Sequence, residues 1–272
     1  MPNLAFPRRH LPPLLRLACA LLLACAVCTA RAYEPPLVLA FSELAPWKTK
    51  DGAAYGGAYT EIVRELARRL GRELRITECP HARCMLMMKS GEADLSIGIQ
   101  QSPERDEFMA FMRTPYRKSA SDRVFYVRHG EAQRIRRFED LPGLHIGVRL
   151  GSEYFDRFDD DKSLSKESAP TNAANLRKLL LRRLDAVVMP EDQGAVLLVE
   201  LGLLKEVDTA VYRERDNTPR SVAVSRHSAA IALLPRLEAA MLAMRRDGTL
   251  AAIYDKHYYE RYGVTHKQVR LE

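Results

Sequence analysis

Short apolar runs alternate with amphipathic, helix-length segments along most of this 272-residue chain, and that alternation restricts the fold more than any other feature. Leu37 to Phe41 reads as a strand, followed by a Gly-rich step (Gly52, Gly56, Gly57) and a helix. In that helix Ile62, Val63, Leu66, Ala67 and Leu70 make one stripe, with Arg64, Glu65, Arg68 and Arg69 opposite and Gly71 as the stop. Leu74 to Thr77 is a second strand, Met85 to Lys89 a second helix, and Leu95 to Ile99 a third strand. This β-α-β-α-β order predicts an α/β fold with a doubly wound, mostly parallel sheet flanked by helices.

A second series follows. Val124 to Val127 is a strand, and the charged stretch Arg128 to Asp140 leads through Leu141-Pro142-Gly143 to another, His145 to Val148. That strand runs into Leu150-Gly151-Ser152, with a helix predicted from about Glu153. Asn172 is placed to cap a helix whose Leu176, Leu179 and Leu180 face inward, and Ala186 to Met189 is a strand leading into Pro190-Glu191-Asp192 and a helix to Glu200. The stretch from Arg213 to Arg220 reads as polar and irregular, before a strand from Ser221 to Ser225. A long helix carries Leu233, Leu237, Met241 and Met244 and stops at Asp247-Gly248; a last one carries Ile253, Tyr254, Tyr258 and Tyr262, read as packing tyrosines with hydroxyls in water. Two β-α series, each ending in a polar step, predict two lobes with a ligand between them.

The chemistry concentrates in Ser90 to Arg105, SGEADLSIGIQQSPER. A turn at Gly91 and Asp94 feeds the apolar strand, which opens into Gln100, Gln101 and Ser102, with Pro103 starting a new element and Arg105 just inside it. Polar side chains and a guanidinium at the carboxyl end of a buried strand are how open α/β sheets build ligand crevices. A guanidinium grips a carboxylate through two parallel charge-assisted hydrogen bonds. Gly151-Ser152, at a strand-to-helix junction, would offer outward backbone N–H groups as an anion seat, or Ser152 would simply cap the helix.

The ends and the composition narrow the class. The first 32 residues hold Arg8, Arg9, Arg16 and Arg31, no acidic residue, an apolar run from Leu17 to Val27 and Ala30-Arg31-Ala32, which together predict a secretory signal peptide cut after Ala32. Leu22-Leu23-Ala24-Cys25 offers a lipid-anchored alternative, to which the bulky Leu23 is poorly suited. The formal net charge of +7 owes four of its positive residues to that segment, and no dense basic run with interleaved aromatics suggests nucleic-acid binding. Of the five cysteines, Cys19, Cys25 and Cys28 leave with the signal. Cys79 and Cys84 remain in CPHARC, a spacing that favours a disulfide over a zinc site built with His81. No Ser-His-Asp arrangement, metal cluster, phosphate loop or cofactor motif is visible.

The Ser90–Arg105 segment, together with FSELAPW, LPGLHIGVRLGS, NLRKLLLRRLDAVV and LEAAMLAMRRDGTLAAIYDKHYY in that order, resembles the family 3 solute-binding proteins, periplasmic receptors of polar amino-acid ABC importers. The likeness spans about residues 33 to 262. It implies a type II periplasmic-binding fold: one lobe from 33–122 and 219–272, the other from 123–218, two hinge crossings, and closure around a small polar solute. It further implies a monomer delivering an amino acid or related carboxylate to an inner-membrane ABC permease, with no cofactor. The carboxylate-gripping arginine falls on Arg105, with Gly98 and Gln100 beside it; the second-lobe anion seat falls on Gly151 and Ser152, next to Glu153. The apolar wall falls on Leu44 and Trp47, and a further wall position on His81. The family's ammonium-binding aspartate corresponds to Pro190 here, which leaves Glu191 or Asp192 as substitutes, and the stacking aromatic before Ala-Pro is Leu44. Two other readings stay open: a periplasmic dehydratase-like enzyme using His81 or Glu153, and a sensory or accessory receptor without a transport role.

Overall fold

The computed structural model describes residues 34–271; the predicted signal segment and its Cys25 lie outside the described residues. The first sheet is built from β1 (Leu37–Phe41), β4 (Leu74–Glu78), β5 (Leu95–Ser96), β6 (Met109–Phe111) and β12 (Ala223–Ser225). Its order is β4-β1-β5-β12-β6, with β1 parallel to β4 and β5, and β12 antiparallel to β5 and β6. The small hairpin of β2 (Thr49–Asp51) and β3 (Ala54–Gly56) occupies the Gly-rich step.

The second sheet takes β7 (Arg123–Arg128), β8 (His145–Arg149), β9 (Ser165–Ala169), β10 (Ala186–Pro190) and β11 (Val207–Glu214), in the order β11-β7-β10-β8-β9. Here β8, β9 and β10 are parallel, and β7 runs antiparallel to β10 and β11. The chain thus leaves the first sheet after β6, builds the second, and returns as β12. The outgoing and returning crossings pair at Arg117 and Arg220: Arg117 N–H donates to the Arg220 carbonyl at 3.3 Å, and Arg220 N–H to the Arg117 carbonyl at 3.0 Å.

The central strands β1, β5, β7, β10 and β12 are covered on two faces and buried along most of their length, whereas β4, β9 and β11 are partly polar and half-solvated. On the first sheet, Ile62, Val63, Leu66, Ala67 and Leu70 of helix Ala58–Leu70 are all buried, in a core shared with Leu237, Met241 and Met244 of helix Leu234–Arg246. The opposite face packs Cys84, Met87 and Met88 of helix His81–Ser90. The second sheet carries Phe125, Ile146, Phe158 and Val188 on one side, and Tyr126, Leu176, Leu179 and Val187 on the other.

Several local expectations are corrected. β5 ends at Ser96, because Gly98 turns into the left-handed region at φ +80. The helix after β8 starts at Asp156 rather than at Glu153, and Thr171, not Asn172, caps the next one, accepting from the Ala174 N–H at 3.1 Å. Leu180 is exposed rather than inward. β9 and β11 were not expected, and β11 carries regular pairing into the stretch read as irregular. Two of the three late tyrosines are not wet: Tyr254 OH donates to the Tyr116 carbonyl at 3.1 Å and Tyr258 OH to the Asp192 carbonyl at 2.7 Å, both buried, while Tyr262 stays half-buried. Buried hydroxyls need such partners, and these two tie the C-terminal helices to the hinge region.

Candidate functional site

A cavity of about 230 Å³ lies where the crossings meet the two sheets. Leu44, Trp47, Tyr59, Gly98 and Gln100 line it from the first sheet's side, Pro190, Asp192 and Gln193 from the second's, and Arg117, Ser121, Arg123 and Arg220 from the hinge. A larger cavity of about 740 Å³ adjoins it through Leu44 and Gly98, and is lined further by Glu43, Lys48, Glu78, Cys79 and His81.

Gly98 sits at the junction for a steric reason. A Cβ there would lie 3.1 Å from Leu44 Cδ2 and 3.2 Å from Tyr59 Cδ2, in a backbone conformation that glycine adopts without strain. The turn it makes presents Gln100 to the smaller cavity. Ser102 then caps helix Pro103–Asp106, accepting from the Arg105 N–H at 3.4 Å, and the Arg105 guanidinium reaches back to donate to the Gln100 carbonyl at 2.5 Å. Arg105 itself lines neither cavity.

His81 opens its helix beside the larger cavity. Cys79 and Cys84 are joined by a disulfide with Cα atoms 5.4 Å apart, which fixes the turn that carries His81. Partial burial, and then the positive charges of Arg105 and Lys48, hold the His81 imidazole below its ordinary range. Those three side chains therefore share one electrostatic neighbourhood. Lys48 was not singled out from the sequence. It is 2% exposed, its Nζ lies 3.5 Å from Ser42 Oγ, and burial pushes its amine down to about 8.

Trp47 is held between two rings, stacked on Tyr59 at 4.9 Å and on Tyr258 at 4.6 Å, with the Arg117 guanidinium carbon 5.2 Å from its ring centroid. The same guanidinium donates to Asp192 Oδ2 at 2.8 Å, with side-chain exposures of 4% and 3%. Asp192 is further fixed through its backbone N–H, which donates to Ser121 Oγ at 3.0 Å. Neither half of this ion pair was foreseen as a pair, since the residues stand 75 positions apart. The sequence offered Asp192 only as an alternative to Glu191 for holding an ammonium group, not as half of a buried pair.

The other expected positions lie apart from the cleft lining. Glu191 faces Arg213, with Nη1 to Oε1 at 3.1 Å, and lines a separate polar cavity with Asp122, Arg213 and Arg215. Burial, against the pull of Arg213, raises its carboxyl above the usual value. Gly151, Ser152 and Glu153 are exposed and line none of the cavities described. The Ser152 N–H is not free as the sequence suggested, because it donates to the Arg149 carbonyl at 3.1 Å, and the helix it was to open starts later. Among the described residues no group of three or more His, Cys, Asp or Glu side chains is placed to hold a metal ion.

The fold and cleft have clear relatives. The chain is 25% identical over 242 residues to an amino-acid-binding protein, AabA, of Dichelobacter nodosus, covering 86% of this chain and 91% of that protein. It is 26% identical over 222 residues to the L-cystine-binding protein TcyJ of Escherichia coli K12, covering 76% of each. The second substrate-binding domain of a putative amino-acid ABC transporter from Streptococcus pneumoniae superposes with a TM-score of 0.64 at 20% identity, covering 82% of this chain and 99% of that one. Substrate-binding domain 2 of Lactococcus lactis GlnP, in an open conformation, gives the same TM-score at 16% identity, covering 84% and 97%. These likenesses account for two sheets, two paired crossings and a cleft between them as a two-lobed periplasmic-binding fold. With residues 37–260 matching the bacterial extracellular solute-binding proteins, family 3, the chain belongs to that family.

Proposed function

We propose that this protein is a periplasmic receptor that captures a small carboxylate-bearing solute, an amino acid or a related acid, and delivers it to the permease of an ABC importer. The lobes are 33–122 with 219–272, and 123–218, closing about the Arg117–Arg220 crossings. The observation that carries this reading is the position of the smaller cavity: it is lined from both sheets and from the hinge between them, where closure would enclose a solute. Arg105, held beside Gln100, grips the carboxylate as the lobes approach, Gly98 and Gln100 supply polar contacts, and Leu44 and Trp47 form the apolar wall. Gly151, Ser152 and Glu153 reach the solute from the second lobe only on closure, and His81 borders the entrance. The binding names and titles of the relatives support a solute of this kind.

A thermal-shift screen of the purified protein against amino acids, opines, polyamines and small carboxylates tests the proposal. A ligand at a hundred times its Kd adds about 2.7 kcal/mol, which raises Tm by roughly 5–10 °C at this size. Arg105→Ala should weaken the hit about ten-fold or more, since a lost charge-assisted bond costs about 1.5–3 kcal/mol. A hit confined to polyamines, or no hit with any carboxylate, overturns the reading. Conversion of the hit to a product, followed by NMR, would turn it towards an enzyme.

A further inference from the structure

The hinge end of the cleft carries more positive charge than its neighbours neutralise. Arg117, Arg123 and Arg220 all line it, and Asp192 is the acidic residue among the lining side chains. Asp192 is committed to Arg117 at 2.8 Å inside a 3–4% exposed pair, so it has no charge left for a solute ammonium group. Arg123 and Arg220 share one carboxylate, Asp216, at 4.0 and 3.1 Å. The acid that could have replaced Asp192, Glu191, is turned to Arg213.

The hydrogen bonding is incomplete in the same place. Arg117 Nε, Arg123 Nε and Arg220 Nη1 are buried and have no partner. A buried donor of a charged group left without an acceptor costs about 1–3 kcal/mol or more, so three such donors on side chains that line one cavity leave these guanidinium groups short of acceptors and of negative charge. Guanidinium forks match carboxylates best, by charge and by geometry.

We infer that Arg123 and Arg220, beside the closed Arg117–Asp192 pair, form a second anion seat, so that the solute is recognised by two carboxylates, one at the hinge and one at Arg105, without need of an ammonium group. This rests on the receptor reading above and names the class of solute within it: short-chain dicarboxylates. Acidic amino acids share the two carboxylates and bind through them, with the ammonium left to solvent or tolerated.

The test is calorimetric titration of the purified protein with succinate, glutarate, L-glutamate, L-glutamine and butyrate. Glutarate or succinate should bind, L-glutamate should bind no more than about ten-fold tighter than the better of them, and L-glutamine and butyrate at least ten-fold more weakly, a gap of about 1.4 kcal/mol per factor of ten. Arg123→Gln and Arg220→Gln should each lower affinity for the dicarboxylate ten-fold or more, with Arg123→Lys in between because it keeps the charge and loses the fork. Binding of L-glutamine as tight as that of the dicarboxylates overturns the second seat while leaving the receptor reading intact. So does binding of L-glutamate alone, which would restore an ammonium requirement. Binding of none of the five, or of butyrate alone, overturns the second seat, and the thermal-shift screen then decides the receptor reading separately. Should an arginine variant fail to fold, the comparison of ligands on the unaltered protein still decides.

Discussion

Burying a lysine amine away from carboxylates is costly, and Lys48 does so at 2% exposure, with Ser42 Oγ at 3.5 Å and the Phe41 ring centroid at 5.8 Å. Its amine is pushed down to about 8 by desolvation, from an ordinary value of 10.5. Between those two values the unfolded chain binds a proton that the folded one has released, so this residue makes stability rise as pH increases through that window. Below about 8 both states are protonated and the full penalty remains, on the order of 3 kcal/mol by linkage. Lys48→Met should therefore raise Tm at pH 7, and its advantage should shrink progressively from about pH 8 to 10.5. Urea unfolding at three pH values checks this, and an advantage independent of pH would show that packing rather than the amine is responsible. Lys48 was not legible in the sequence, because a lysine in FSELAPWKTK reads as a solvated end of a turn. Only the fold of that turn, with Lys48 N–H donating to the Leu44 carbonyl at 2.8 Å, puts the amine inside. The Arg117–Asp192 pair escaped for the complementary reason: Arg117 looks like a surface charge and Asp192 like a ligand for an ammonium group until the crossing and the helix start are brought together.

At the scale of elements, periodicity located what is buried and missed what lies at the edges. β1, β7, β8 and β10 were anticipated to within a residue at each end because both of their faces are covered and their sequences are apolar. β9 (SKESA) and β11 (VDTAVYRE) are the edge strands of the second sheet, polar and half-solvated, so composition could not separate them from loop. The break in β5 was likewise invisible, since Leu95 to Ile99 is apolar on both sides of Gly98. That glycine now yields a prediction. Gly98→Ala would place a left-handed non-glycine residue at φ +80 and press its Cβ to 3.1 Å from Leu44. The conformational part alone costs about 1–2 kcal/mol. Gly71→Ala, at φ +71 with nothing within 4 Å of its Cβ, should lose a similar stability. Only Gly98→Ala should also weaken solute binding, because Leu44 and Tyr59 line the cleft. Equal affinities in the two variants, by calorimetry, would remove the Gly98 turn from the site.

On the scale of the whole molecule, the β-α alternation and the family-like motifs made the two-lobed fold legible, whereas the packing that joins its parts was not. Trp47 is the point of that junction. It follows β1 near the start of the described residues, yet it stacks on Tyr258 from the last helical segment and lies under Arg117 of the outgoing crossing. A lobe movement about the crossings must shift Arg117 and Asp192 relative to this ring, because the guanidinium bonded to Asp192 also sits 5.2 Å from the indole centroid. The chain has one tryptophan, so its emission reports this site alone. Solute should therefore change the intrinsic fluorescence saturably, with the same midpoint as calorimetry, and the radius of gyration measured by X-ray scattering should fall over the same range. Trp47→Phe should abolish the optical signal while keeping the scattering change. Emission that stays constant at calorimetric saturation, with an unchanged radius of gyration, would mean that the solute binds without closure, and the crossings would then be a fixed floor of the site rather than its hinge.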